Sequence, residues 1–418
     1  MKIVYIFGAG ASASIDEKRV PVMANFFEKA INMFNEGNKV FWIAFAFAEE
    51  ARAFPPNPEI ENLGIQIRIL GELSDNLKLL KGGDKSTKNR IDTELKMAIH
   101  DYKEAFKRDP NRISANLEGV FSKVESYREK TSAIDQTYDR LQYVIAGLFN
   151  KLEKDLSEKF SDAAHYDLSG LIADSGEFKH TFISFNYDLW LEKALFKKGL
   201  WYPRDGHGNY RFQYYSPPLA DVTTSKDFEN GKFVIKDIYE PKEFRNNDKQ
   251  SSVKVLKPHG SLSWRFGTKN PENGVVILEG GENSSVAYNS SWAFPASKFK
   301  DGIEMDMVPL VVPPAPNKIR SHPLFWETDK DVYNAMLQAD IVVIVGWSMP
   351  LTDQYLKDTV LRALNNREEQ IKKLIICDKE GTDKSLMPRL ESIFRPRELR
   401  SFLEGFSKGF VDFLRKEL

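Results

Sequence analysis

The feature that most constrains this chain stands at its start. Ile3, Val4, Tyr5, Ile6 and Phe7 form an unbroken β-branched and aromatic run, which stops at Gly8-Ala9-Gly10. Small residues continue through Ala11, Ser12, Ala13 and Ser14. A strand with no polar face must be covered on both sides, as in a parallel sheet. A glycine turn at its end lets the backbone bend tightly and approach a pyrophosphate, whose charge then rests on the N–H groups opening the next helix. Gly8, Gly10 and Ala13 satisfy the G-x-G-x-x-A spacing. Any buried strand-to-helix turn also favours small residues, so a purely structural turn stays open. An ordinary dehydrogenase places an acidic residue about 20 positions on, at the end of a second strand. Here Met23, Phe26, Phe27, Ala30, Ile31 and Phe34 follow helical spacing instead. A dinucleotide at this turn would be held in a variant arrangement.

Strand character is sparse from Asn35 to Leu171, where apolar residues recur at helical spacing. It returns at His180–Phe185, followed by Asn186-Tyr187-Asp188 and a helix from Leu189 to Phe196. Val253–Leu256 is a further short strand, ending in Lys257-Pro258-His259-Gly260-Ser261. The stretch from Gly199 to Ser252 predicts short strands and loops, or a small lobe, and Gly267 to Ala296 is loop-rich. Val308–Val312 reads as a strand and His322–Leu337 as a helix. Ile341–Val345 is the clearest buried strand, with Gly346-Trp347-Ser348 at its end. A helix at Gln354–Leu364, a final strand at Lys373–Asp378 and a closing amphipathic helix at Leu399–Leu418 complete the chain. Five buried-type strands thus end in turns holding Gly8, Gly10 and Ser12; Asn186 and Asp188; His259; Gly346 and Ser348; and Asp378. In a parallel sheet those ends share one edge, where α/β proteins place their ligands. The expected fold is α/β, a Rossmann-like parallel sheet with helices on both faces plus a large, mainly helical insertion. The sheet domain is expected from residues 1–35 and 175–418, with the insertion at 36–174.

Charge and cysteine content narrow the chemistry. With 59 basic and 60 acidic residues the formal net charge is −1, so no global basic excess points to nucleic acid as a direct ligand. Cys377 is the single cysteine, which rules out internal disulfides and a cysteine-built zinc site. The histidines other than His259 show no metal-ligand spacing, and no metal is expected. No apolar run approaches ~20 residues, and residues 3–7 are too few for a signal peptide. The chain is expected to be cytoplasmic.

Three residues carry most of the chemical interest. Asn186 can hold a ribose or a water through its amide, and Asp188 follows it in the same turn. Both are also good helix caps. His259 lies between Pro258 and Gly260 at a strand end. An imidazole titrates near neutrality, so it can take a proton there. A bond to a loop carbonyl is the plainer alternative. Asp353 could meet a ribose hydroxyl or cap the following helix.

Taken together, Gly8-Ala9-Gly10-Ala11-Ser12, Phe185-Asn186-Tyr187-Asp188, Lys257-Pro258-His259-Gly260-Ser261 and Ala339-Asp340 through Gly346-Trp347-Ser348 resemble the ordered motifs of a sirtuin-like domain. The resemblance covers residues 1–35 and 175–385, and Asn116-Leu117-Glu118 resembles a motif of bacterial defence-type members. It implies NAD as substrate. Gly8, Ala9, Gly10, Ala11 and Ser12 would cradle its phosphates, and Gly346, Ser348 and Asp353 would lie near the adenosine half. Asn186, His259 and Asp188 would serve cleavage of the nicotinamide–ribose bond.

Departures from the family pattern direct the reading further. Its protein deacetylases carry a four-cysteine zinc module, which one cysteine cannot build. Their Pro-Asp-Phe-Arg stretch is here Pro21-Val22-Met23-Ala24, and the Gln before the family Asn is Phe185. The resemblance therefore implies the branch of NAD-hydrolysing anti-phage effectors, yielding nicotinamide and ADP-ribose. Such members are gated by homo-oligomeric assembly, by a HerA-type ATPase or by a phage-derived activator. A deacylase or ADP-ribosyltransferase, and a non-catalytic NAD or ADP-ribose sensor, are the alternatives.

Overall fold

The computed structural model describes residues 1–22, 163–203, 205–208, 250–267, 323–349, 354–379 and 386–418, the further strands named below, and scattered positions between 145 and 159. Its strands are β1 (Lys2–Phe7), β2 (Lys179–Ser184), β3 (Gln213–Ser216), β4 (Asp227–Glu229), β5 (Lys232–Val234), β6 (Ile238–Pro241), β7 (Lys254–Leu256), β8 (Gly260–Gly267), β9 (Val275–Leu278), β10 (Ala296–Phe299), β11 (Glu304–Val311), β12 (Ile341–Val345), β13 (Lys373–Cys377) and β14 (Glu398–Phe402). The helices are α1 (Ala9–Ala13), α2 (Ala164–Asp174), α3 (Trp190–Lys197), α4 (Pro323–Gln338), α5 (Gln354–Asn365), α6 (Leu386–Phe394) and α7 (Lys408–Glu417).

Six strands form one parallel sheet in the order β14-β13-β12-β1-β2-β7. Counted by their sequence within the sheet, that is 3-2-1-4-5-6 when read from the β7 edge with β1, β2 and β7 as the first three, the doubly wound Rossmann order. The chain runs outward from β1 in one direction and from β12 in the other, so the strand order reverses between β1 and β12. Their register pairs Ile3 with Ile341 and Phe7 with Val345, so the two strands end level. Turns leaving them in opposite directions open the crevice at which such sheets bind ligands.

The all-apolar composition of β1 and β12 is explained by helices on both faces. On one face Val4, Ile6, Ile183, Val342, Ile344, Leu374 and Ile376 join Val332 and Met336 of α4, Val360 and Ala363 of α5, and Leu386, Leu390 and Phe394 of α6. On the other, Tyr5 stacks on Phe182 with centroids 4.5 Å apart, and Phe7 meets His165 of α2 and Phe406 edge-on. Phe406 continues to Phe410 of α7. Burial drives His165 down to about 3, so it packs as a neutral ring.

One expectation is corrected. Lys373–Cys377 is not the last strand, because Glu398–Phe402 adds β14 at the sheet edge where a closing helix was expected from Leu399. Leu399, Phe402, Phe406, Phe410 and Phe413 do recur at helical spacing, but Gly405 at φ +77° breaks the run. Ser407 then caps α7 by accepting from Phe410 N. The loop-rich stretch between Gly267 and Ala296 contains one described strand, β9. The short strands expected between Gly199 and Ser252 are present, and two of them, β3 and β6, join β8, β9, β10 and β11 in a six-stranded barrel in the order β10-β11-β8-β9-β3-β6.

The chain divides into two compact units, residues 1–17, 149–312 and 319–418 in one and 18–148 with 313–318 in the other. The helical readings between Met23 and Leu141 lie outside the described residues. Helix α2 belongs to the first unit and packs on its sheet.

Arg367 closes the C-terminus of α4. Its guanidinium donates to the carbonyls of Met336 at 2.6 Å, Leu337 at 3.1 Å and Ala339 at 2.6 Å. These are carbonyls a helix end leaves unsatisfied, and a cation there also suits the helix dipole. Arg367→Ala is expected to lower unfolding free energy by about 2 kcal/mol, read by urea titration. Arg367→Lys should recover only part of it, because an ammonium cannot span three carbonyls as the planar fork does.

Candidate active site at the carboxyl edge of the sheet

The site is built where β1 and β12 end. Gly8 N donates to Val345 O and Gly10 N to Gly346 O, both at 3.0 Å. The two turns touch backbone to backbone. A Cβ on Gly8 would lie 2.4 Å from Gly346 O, and one on Gly346, whose φ is +56°, would lie 2.5 Å from Ala11 N. The glycines are therefore required by turn-on-turn packing, whatever else they do. Gly10 remains exposed and Ala9 half-buried on the open side. The N–H of Ala11 is occupied by Gly8 O at 3.0 Å.

The end of β2 locks onto this pair of turns. Phe185 N donates to Phe7 O at 2.9 Å, and the Asn186 side-chain amide donates to Gly8 O at 2.8 Å. The Phe185 ring stacks on Trp347 at 5.0 Å with 4° between planes, and meets His259 edge-on at 5.1 Å. His259 also lies 6.4 Å from the Tyr187 ring. One aromatic ladder thus joins the β12, β2 and β7 turns. Asn186 and His259 are 8% and 2% exposed, so both work from a largely desolvated setting.

His259 owes its place to the sharp passage from sheet to barrel. Gly260 N donates to Lys257 O at 3.0 Å, closing a turn around Pro258 and His259. Gly260 takes φ +80°, and a Cβ there would lie 1.9 Å from Leu310 O of β11. Leu262 N donates to Tyr187 O at 3.1 Å, tying β8 to the loop that carries Asn186.

Beneath this layer lies a buried polar chain. Ser12 donates to Asp188 Oδ2 at 2.5 Å, so its hydroxyl is turned inward. Asp188 Oδ1 accepts from Trp190 N at 3.4 Å, a long capping bond, while Glu153 accepts from Leu189 N at 2.6 Å and engages Lys193. Lys257 donates to Asp188 O and to Glu192 Oε1, each at 2.6 Å. Burial pushes the Asp188 carboxyl up to about 7, partly offset by Lys257 and the Ser12 bond and reinforced by Glu153 and Glu192. Burial likewise raises Glu192.

A raised carboxyl means that the folded chain binds its proton more tightly than the unfolded chain. Stability from this source is full below the unfolded value near 4 and is lost as pH rises to about 7. Asp188→Asn keeps an acceptor for Ser12 and removes that titration. Urea unfolding between pH 4.5 and 8 is expected to fall less steeply with pH in the variant, Glu192 supplying the slope that remains.

Gly8, Gly10, Ser12, Asn186, Asp188 and Gly346 are thus joined through direct contacts at one sheet edge, and His259 meets them through the Phe185 ring. Ser348 is exposed, with its carbonyl accepting from Arg389 at 2.6 Å. Asp353 lies outside the described residues. Sequence reasoning assigned no role to Lys257, Glu192, Glu153, Phe185 or Trp347. The lysine at the end of an apolar strand was a signal, but its partner Glu192 is 65 positions away. Among the described residues no helix is long and apolar enough to cross a membrane, and no group of three His, Cys, Asp or Glu is placed to hold a metal ion.

No family model and no curated protein matches the chain. Among solved structures it is similar to a Sir2 homologue mutant in complex with ADP-ribose, at 13% identity and a TM-score of 0.37 over 100% of this chain and 91% of that one. It is also similar to a Sir2 mutant with a deacetylated peptide and 3′-O-acetyl ADP-ribose, at 12% identity and a TM-score of 0.30 over 70% and 82%. A sirtuin studied for substrate affinity gives 13% identity and a TM-score of 0.31 over 70% and 83%. The strand order itself, rather than these overlaps, identifies the fold class.

Proposed function

We propose that this chain is an NAD glycohydrolase that cleaves NAD to nicotinamide and ADP-ribose. The observation that carries the reading is the bond from Asn186 to the glycine turn, with His259 against the neighbouring Phe185 ring, at the point where a doubly wound sheet reverses its order. The residues present suit a dinucleotide there: a close glycine turn, an exposed Gly10 flank, and amide and imidazole groups in a desolvated layer. NAD supplies the bond to be broken, between the ribose C1′ and the nicotinamide nitrogen, and nicotinamide departs with the bonding pair. Asn186 holds the ribose or the attacking water. His259 accepts the proton released as the water oxygen bonds to C1′, a role worth roughly a hundred- to ten-thousand-fold. Asp188 and Ser12 brace the loop that presents Asn186. Gly8, Ala9, Gly10 and Ala11 flank the phosphates, with Gly346, Ser348 and Asp353 toward the adenosine.

The chain has one cysteine, so the four-cysteine zinc module of a deacetylase cannot be built, which favours water over an acyl-lysine acceptor. The proposed setting is anti-phage defence in the cytoplasm, with activity held off until the chain assembles with its own copies, a HerA-type ATPase or a phage-derived activator. The test is incubation of the purified chain with NAD, alone and co-expressed with its genetic neighbours, followed by chromatography. Nicotinamide with ADP-ribose supports the hydrolase. Transfer to an acylated or unmodified protein replaces it by a deacylase or ADP-ribosyltransferase. Calorimetric binding without turnover in any assembly replaces it by a sensor.

A further inference from the structure

Lys257 is fully buried and stands two residues from His259. Placing an ammonium there costs several kcal/mol before pairing, and a buried pair is weak evidence of stabilisation. Its role is therefore better read from what it touches. Its two bonds, to Asp188 O and Glu192 Oε1, run from the turn after β7 to the loop after β2 and the first turn of α3. The Asp188 carboxylate in turn holds Ser12 of α1. One side chain thus ties two strand ends, those of β7 and β2, and touches the backbone of the residue whose carboxylate reaches the third.

We infer that Lys257 is a positioning residue that holds the Asp188 loop against the His259 turn and sets how Asp188 engages Ser12. The groups facing Asp188 are Ser12 from α1, Lys257 from the β7 turn, Glu192 from α3 and Glu153 from the segment before α2, itself engaged by Lys193. Lys257 favours the carboxylate; Glu192 and Glu153 oppose it. An ionised Asp188 can only accept from Ser12, whereas a protonated one can also donate to it, so the proton sets the polarity of the link to the glycine turn.

In its activity readout the inference rests on the proposed NAD cleavage. It is tested with Lys257→Met and Glu192→Gln, which act on Asp188 with opposite sign. Two measurements are made on the full chain in its active assembly: the pH profile of kcat/KM for NAD, and the titration of the Asp188 carboxyl carbon by NMR, assigned against Asp188→Asn. Lys257→Met is expected to move both midpoints up by about one unit or more, with activity recovering toward wild type at high pH. Glu192→Gln is expected to move them down. Equal loss at every pH, with the carboxyl titration unmoved, assigns Lys257 a merely structural role and overturns the inference. If Lys257→Met does not fold, an unmoved midpoint in Glu192→Gln overturns it instead. A wild-type chain that leaves NAD intact refutes the glycohydrolase, and the NMR titration still decides the role of Lys257.

Discussion

His259→Ala and Asn186→Ala are each expected to lower NAD cleavage by roughly a hundred- to ten-thousand-fold while the chain stays folded. The two substitutions remove different things. His259 is held by a turn and an aromatic edge, and its loss leaves the backbone turn from Lys257 to Gly260 in place. What disappears is the group that takes the proton of the attacking water, so kcat should fall with KM little changed. Asn186 donates to Gly8 O, and its removal forfeits one hydrogen bond worth about 1 kcal/mol. That is a small part of the roughly 5–15 kcal/mol typical of a folded domain. Its effect on rate should exceed its effect on stability, because a ribose or water in the wrong place loses the advantage of pre-orientation. The measurement is kcat/KM by product chromatography beside a urea midpoint for each variant. Activity within a few-fold of wild type in either would remove that residue from the site.

A large stability effect is expected at Gly346. An alanine there must hold φ +56° and drive its Cβ to 2.5 Å from Ala11 N and 2.6 Å from the Gly10 backbone. Left-handed backbone alone costs about 1–2 kcal/mol, and overpacking adds roughly 1–3 kcal/mol. No flexible side chain can give way, because the obstructing atoms are backbone on both sides. Gly346→Ala should therefore lose roughly 2–5 kcal/mol and separate the two turns, taking NAD binding with it. Gly405→Ala is the matched control. It has the same sign of φ, at +77°, but nothing lies within 4 Å of its would-be Cβ. It should lose only the backbone part, about 1–2 kcal/mol, and leave binding untouched. Equal losses in the two variants would refute the turn-on-turn account.

Much of this site is legible in the amino-acid sequence. The runs Ile3–Phe7, His180–Phe185, Val253–Leu256, Ile341–Val345 and Lys373–Cys377 all contain parallel strands, because a strand buried on both faces must be apolar throughout. Their ends carry the polar residues because backbone leaving a sheet has to meet water or a ligand. The elements that local pattern does not reveal are half-buried or paired across long separations. Glu398–Phe402 is an edge strand whose apolar residues run in phase with the amphipathic helix after it, and the left-handed Gly405 interrupts the run between them. The barrel is held by pairings between distant segments, such as Val308 with Phe266, that no local pattern announces.

The amino-acid sequence by itself determined the sheet's strands and the polar turns at their ends, because burial on two faces and tight turns are local demands that composition must satisfy. Only the tertiary structure decided their order, the interlocking of Gly8, Gly10 and Gly346, and the inward turn of Ser12 onto Asp188. It also placed Lys257 between Asp188 and Glu192. Those contacts join residues far apart in the chain, 65 positions for Lys257 and Glu192 and more for the glycine turns. Their energies depend on burial and distance, which exist only once the chain has closed on itself.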